Sequence, residues 1–164
     1  MLSNELQIGK AGEHLVCCDL ISRGYNAFLA DQGLPYDVVM DYNNILYRIQ
    51  VKTTTVFQRN KGKEDVLRFT MRNGKFARNK LKLNHTDFFA FVYLPAKEIA
   101  YINSNELVKD DGYLKQCIEF KSNKRDYQRR TYCNGSTRRL WGRIFENYLE
   151  IEQALFTEKL KGVI

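Results

Sequence analysis

Residues 45–55 alternate so cleanly that Ile45, Tyr47, Ile49 and Val51 share one face, while Leu46, Arg48, Gln50 and Lys52 share the other. A period of two is incompatible with a helix and predicts a strand whose apolar face lies on a core. Residues 36–41 read as its partner strand, with Tyr42, Asn43 and Asn44 as the connection of a β-hairpin. The hairpin carries Asp37 early in its first strand and projects Gln50 and Lys52 together from its second.

Around it, residues 4–24 read as a helix, because Ile8, Ala11, Leu15 and Cys18 recur at helical spacing and Val16 and Leu20 widen the stripe. Ser3 or Asn4 can cap its start and Gly24 can end it. A short extended segment, residues 26–30, precedes a loop punctuated by Gly33 and Pro35. Further strands are predicted at residues 66–72, 88–94 and 99–103, with an exposed loop or hairpin tip at 60–65 and a turn at Asn73 and Gly74. A last helix is predicted over residues 143–160 from Ile144, Tyr148, Ile151 and Leu155, flanked by Phe145, Leu149, Phe156 and Leu160. That apolar face is broad enough for part of it to meet another subunit. At 164 residues the chain reads as one compact domain, residues 1–164, with elaborations.

The net charge of +7 favours an anionic partner. It is concentrated in residues 59–82 and in residues 121–143, where Asp126 is the only acid. Interleaved aromatic and polar residues in both runs suit phosphate contacts better than a membrane helix, and the alternative is a solvated basic face. The N-terminal residues lack the apolar stretch of a signal peptide, and the longest apolar run, residues 88–94, is too short to span a bilayer. A soluble, intracellular, cytoplasmic protein with no membrane partner is the expectation. Cys17, Cys18, Cys117 and Cys133 have no Cys-x-x-Cys spacing, and His14 and His85 are the only histidines. Reduced, mostly buried thiols are therefore expected, rather than a structural zinc site or a disulfide framework.

Hydrolysis of a phosphodiester needs an aligned water and positive charge around the phosphorane, and Mg2+ held by hard oxygen ligands supplies most of that charge. Asp37 is a natural metal ligand, the main-chain carbonyl of Val51 could be another, and Lys52 is placed to touch the attacking water or a phosphate oxygen. Gln50 stands where a second carboxylate would be expected and offers an amide oxygen without charge. Glu13 can make up the acid: Gly9 lies one turn before it and Val16 and Cys17 one turn after, at the edge of the apolar stripe, where a side chain can face the sheet. Taken singly, Glu13 is a solvated helix glutamate and Asp37 a turn-proximal acid. His14, about 100° further round the helix, reads as a packed or surface residue, and His85, Thr86 and Asp87 as a turn entering the next strand.

The order Gly9-Lys10-Ala11-Gly12-Glu13 on a helix, then Gly33-Leu34-Pro35-Tyr36-Asp37-Val38-Val39, then Gln50-Val51-Lys52-Thr53, resembles the PD-(D/E)XK nuclease superfamily. Within it the pattern is most similar to the bacterial group I intron-encoded homing endonucleases, whose motif carries glutamine where relatives carry an acid. The resemblance implies an α/β, restriction-endonuclease-like core, a mixed central sheet flanked by helices, with β-hairpin arms and a C-terminal helix. The catalytic core would occupy about residues 1–107 and a basic, helical extension residues 108–164. It also implies an active site of Glu13, Asp37, Gln50 and Lys52, with Asp37, Val51 and Glu13 as metal ligands. Mg2+, for which Mn2+ can substitute, would then support cutting of double-stranded DNA by a homo-oligomer, dimer or tetramer.

DNA contacts fall on two stretches. Arg59, Lys61, Lys63, Arg68, Arg72, Lys75, Arg78 and Lys80 lie on arms after the active strand and are expected in the major groove. Lys121, Lys124, Arg125, Arg129 and Arg130 are expected on the DNA backbone. Three readings follow: a homing endonuclease, a junction-resolving or restriction-type nuclease of the same fold, or a DNA-binding module that lost its metal with the second carboxylate.

Overall fold

Helix α1, Glu5–Ser22, is followed by strands β1, Asn26–Leu29, β2, Val38–Tyr42, and β3, Ile45–Thr54. In this computed structural model the described residues are 5–56, 58, 66–71, 86–109, 113–121, 130–131, 137–138, 143–144 and 149–159. The β2–β3 hairpin runs in register from Val38 opposite Ile49 to Tyr42 opposite Ile45. Its two turn residues, Asn43 and Asn44, both have positive φ, 54° and 61°. Such a turn matches the right-handed twist of the strands, and asparagine tolerates the left-handed region better than other side chains that carry a Cβ.

Strands β4, Val66–Thr70, β5, Phe88–Tyr93, β6, Glu98–Asn103, and β7, Cys117–Lys121, come next. Short strands β8, Arg130–Thr131, β9, Thr137–Arg138, and β10, Arg143–Ile144, precede helix α2, Ile151–Lys159. Five strands form a mixed sheet in the order β1-β2-β3-β5-β6. All pairs are antiparallel except β3 with β5. A parallel pair needs a long crossover, and the chain between β3 and β5 contains β4, which joins a second sheet in the order β10-β7-β4.

Two cores result. On one face of the central sheet Ile49, Val51, Phe88, Ala90, Val92 and Tyr101 pack with Val16 and Leu20 of α1 and with Ile151, Ala154 and Leu155 of α2. On the other face Phe89, Phe91, Ala100 and Ile102 pack against Leu67, Phe69, Ile118 and Phe120 of the second sheet. Phe69, Phe91 and Phe120 meet with ring centroids 5.1–5.8 Å apart, tilted as the ring quadrupoles prefer. The second layer also explains a departure from the simple alternation of β3: Ile49, Gln50 and Val51 are all buried. A central strand covered on both faces has no solvent side on which to place its polar residues.

The C-terminal region differs from expectation. Arg143 and Ile144 are extended and pair in parallel with Phe120 and Lys121, so the helix begins only at Ile151. Helical spacing in the sequence did not reveal that this stretch could be recruited by the edge of β7. Ile151 and Leu155, part of the face offered to another subunit, are buried in this chain's own core. Polar bonds fasten α2 there: Arg23 donates to Glu150 Oε2 at 2.6 Å and to the Leu149 carbonyl at 3.1 Å. Tyr25 donates to Glu152 Oε1 at 2.7 Å, while Tyr101 of β6 donates to Asp19 Oδ2 at 2.7 Å and ties α1 to the sheet.

Helix α1 crosses β3 at Gly12, where an added Cβ would overlap the hydroxyl of Thr53. This near contact sets the height of α1 over the strand that bears Gln50 and Lys52. Gly12→Ala is expected to cost about 1–3 kcal/mol of stability by overpacking. Thr53→Ala should return most of that loss in the double variant. Denaturant melts of the two single variants and the double variant measure the coupling.

Candidate active site

The β2–β3 ladder ends at Val38 opposite Ile49, and Asp37 extends it by one side chain. Its main-chain N–H donates to the Ile49 carbonyl at 2.9 Å, and its Oδ2 accepts the Val51 N–H at 2.7 Å. The carboxylate therefore stands where the next backbone carbonyl of β2 would have been. Within a strand the N–H and C=O of one residue point to the same side, so the Val51 carbonyl is directed past the last rung, toward Asp37. The approach to Asp37 is held at its carbonyl, which accepts the Ala30 N–H at 2.9 Å, and at the Pro35 carbonyl, which accepts the Thr86 hydroxyl at 3.3 Å.

Gln50 and Lys52 pair with Phe89 and Phe91 of β5, on the face turned from α1. Gln50 is 5 % exposed. An amide at this depth costs less to bury beside Asp37 than a second carboxylate would, since no second charge has to be desolvated or held against the first. Burial holds the Asp37 carboxyl above the usual carboxylate range; the Val51 N–H and the charges of Lys52 and Lys10 pull it down, and Glu13 pushes it up. Burial also lowers the Lys52 ammonium, with Asp37 acting in the opposite sense. Glu13 reaches the neighbourhood of Asp37 from α1 and is ion-paired with Lys10, one turn earlier.

The four residues expected to act together, Glu13, Asp37, Gln50 and Lys52, lie on α1, at the start of β2 and on β3. The oxygens offered to a metal are the carboxylates of Asp37 and Glu13, the amide of Gln50 and the carbonyl of Val51, a hard donor set of the kind Mg2+ takes. Among the described residues no group of three or more His, Cys, Asp or Glu side chains gathers anywhere. The donor set therefore stays poorer in charge than a three-carboxylate site. His14 is exposed. Cys17 and Cys117 are half-buried free thiols; Cys18, expected to be buried, is exposed, because its position on α1 points away from the sheet.

Sequence reasoning missed the role of Asp87, which it read as part of a turn. Its carboxylate accepts from the N–H of Arg48 at 2.7 Å, from Nε at 3.0 Å and from Nη2 at 3.0 Å. Its own N–H donates to the Arg48 carbonyl at 2.8 Å. Asp37 and Asp87 thus grip β3 from opposite edges, and an Arg two residues before Gln50 was the available signal. Lys10 was also passed over, although its spacing from Glu13 fits an i, i+3 pair.

The DNA-contact expectations meet the structure at few points. Arg68 on β4 is exposed, its Nε 3.0 Å from Cys117 Sγ and 3.6 Å from Glu119 Oε1. Lys121 and Arg130 lie on β7 and β8. Gln58 bridges Val66 in antiparallel fashion; residues 59–65, expected as a loop or hairpin tip, lie outside the described residues. Arg59, Lys61, Lys63, Arg72, Lys75, Arg78, Lys80, Lys124, Arg125 and Arg129 lie outside the described residues, as do His85 and Cys133. No helix among the described residues is long and apolar enough to cross a membrane.

An acid whose folded-state pKa is raised binds its proton more tightly when folded, so it subtracts stability once pH rises through the folded value. Asp37 is such a group. Asp37→Asn keeps an acceptor for the Val51 N–H and removes the buried charge. It is therefore expected to raise the melting temperature at neutral pH, and the gain should shrink toward zero below the ordinary aspartate range. Thermal melts of both proteins across that range check the sign.

The architecture is similar to that of a bacterial homing endonuclease, I-Ssp6803I, with a TM-score of 0.60 and 14 % sequence identity over 97 % of this chain and 99 % of that one. A more distant likeness is to Hjc, a Holliday junction resolvase of Archaeoglobus fulgidus, with a TM-score of 0.38 and 15 % identity over 65 % of this chain and 84 % of that one. No curated protein matches the sequence. The sequence does match the PD-(D/E)XK endonuclease family over residues 3–134. Its mixed sheet, with helices on one face, is the restriction-endonuclease-like core, and the chain belongs to the PD-(D/E)XK endonuclease family.

Proposed function

We propose that this chain is a metal-dependent endonuclease that cuts double-stranded DNA at specific sites, of the homing type, with Mg2+ as its ion and Mn2+ able to substitute. The reading rests foremost on the buried carboxylate of Asp37 extending the hairpin ladder onto Val51, one residue from Lys52. When bound, the ion supplies the positive charge that the phosphorane requires. Asp37, Glu13, the Val51 carbonyl and the Gln50 amide hold it. Lys52 orients the attacking water and stabilises the negative charge that grows on the phosphate. Phe89 and Phe91 lie buried on β5 beside Gln50 and Lys52, and so apolar a flank strengthens each of these charge interactions.

One such site cuts one strand, so a double-strand break calls for at least two copies, and the protein acts as a homo-oligomer. Residues 1–164 form one nuclease domain, with the catalytic core in about residues 1–107; residues 108–164 add β7 and α2 to the packed interior and carry basic residues that track the DNA. The net charge of +7 supplies the general attraction to the duplex. Arg and Lys residues of the 59–80 arm read bases, and those of 121–130 contact phosphates.

Cleavage of a plasmid library in Mg2+ tests the reading. Wild type is expected to linearise a minority of clones, and Asp37→Asn or Lys52→Ala to lose about 100-fold or more in rate while still retaining DNA in a gel. Retention without cutting across Mg2+, Mn2+ and Co2+ would contradict catalysis. Preference for a four-way junction over linear duplex in competition would move the substrate to branched DNA.

Gln50→Glu sharpens the role of the amide. It adds a charge beside Asp37, so it should lower thermal stability without metal and recover it as Mn2+ is added. Melts in a Mn2+ series read both effects. An unchanged melting temperature throughout would show that residue 50 lies outside the metal's reach.

A further inference from the structure

Lys10 has no place in the machinery described above, yet it is ion-paired with Glu13. Its Nζ donates to Glu13 Oε2, three residues along α1. The lysine is 46 % exposed while the glutamate is only 15 % exposed. Its charge also acts on Asp37. Two carboxylates thus share a neighbourhood in which one exposed ammonium is bonded to Glu13. Asp37 is fixed by Val51, whereas Glu13 is reached from a helix whose closeness to β3 depends on a glycine.

We propose that Lys10 is a positioning residue that occupies Glu13 in the metal-free protein and competes with the metal for it, so that Lys10 sets the metal concentration at which the site fills. This rests on the metal-dependent reading above. A cation bonded to a ligand opposes binding in two ways: its bond must be given up, and its charge repels the incoming ion. In exchange it keeps two nearby carboxylates from repelling each other before the ion arrives. An exposed pair is worth little to overall stability. Its effect therefore falls mainly on metal affinity rather than on folding. Arginine at residue 10 would keep the charge, and methionine would keep the length without it.

Manganese uptake by the full-length protein, followed as loss of the free-ion electron paramagnetic resonance signal, tests this without any turnover. Lys10→Met is expected to bind Mn2+ about three- to tenfold more tightly than wild type, and Lys10→Arg to stay close to wild type. The gain should disappear when Glu13→Gln is added to Lys10→Met, because the competition runs through Glu13. Unchanged or weaker binding by Lys10→Met overturns the proposal, as does a gain that survives Glu13→Gln. Wild type and Asp37→Asn taking up Mn2+ equally would overturn the metal reading itself and this inference with it. The comparison of wild type with Asp37→Asn separates that failure from the failure of Lys10 alone.

Discussion

The site depends on one hydrogen bond, from the main-chain N–H of Val51 to Oδ2 of Asp37. A buried N–H left without an acceptor costs roughly as much as a lost hydrogen bond, so the end of the β2–β3 ladder needs a substitute for the missing carbonyl. A carboxylate supplies one oxygen for that purpose and leaves the second for the metal proposed above. Asp37 cannot drift without exposing the strand edge.

The rest of the architecture turns this local arrangement into a low-dielectric site. Helices cover one face of the central sheet and a second sheet covers the other. Lys52 and Asp37 are consequently pushed toward their neutral forms by burial and drawn back by each other. Perturbations of this kind raise the odds that residues act chemically. The glutamine at residue 50 belongs to the same balance, since a third carboxylate there would load an already desolvated cluster with further repulsion. The clamp of Asp87 on Arg48 holds the opposite edge of β3, so the strand is fixed on both sides.

Much of this was legible in the amino acids and some was not. The hairpin was readable because alternation and an asparagine turn are local signals, and both Asn43 and Asn44 adopt the left-handed conformation such a turn needs. Asp37, Gln50 and Lys52 followed from it by counting along two strands. Burial of Gln50 was not readable, because it comes from a second sheet whose strands β4 and β7 are 47 residues or more apart in register. The extended conformation of Arg143 and Ile144 was hidden for the same reason: a free strand edge decided it, over a helical spacing that continued into α2. Asp87 looked like a turn residue because its partner, Arg48, lies 39 residues away.

The central claim is that the oxygens gathered around the end of β2 and the middle of β3 hold a catalytic divalent ion. Anomalous scattering from Mn2+-soaked crystals of the full-length protein tests it most directly. A manganese peak in contact with the Asp37 carboxylate and the Val51 carbonyl is the expected result. A peak ligated by other residues, with Asp37 still bonded only to the Val51 N–H, would contradict it.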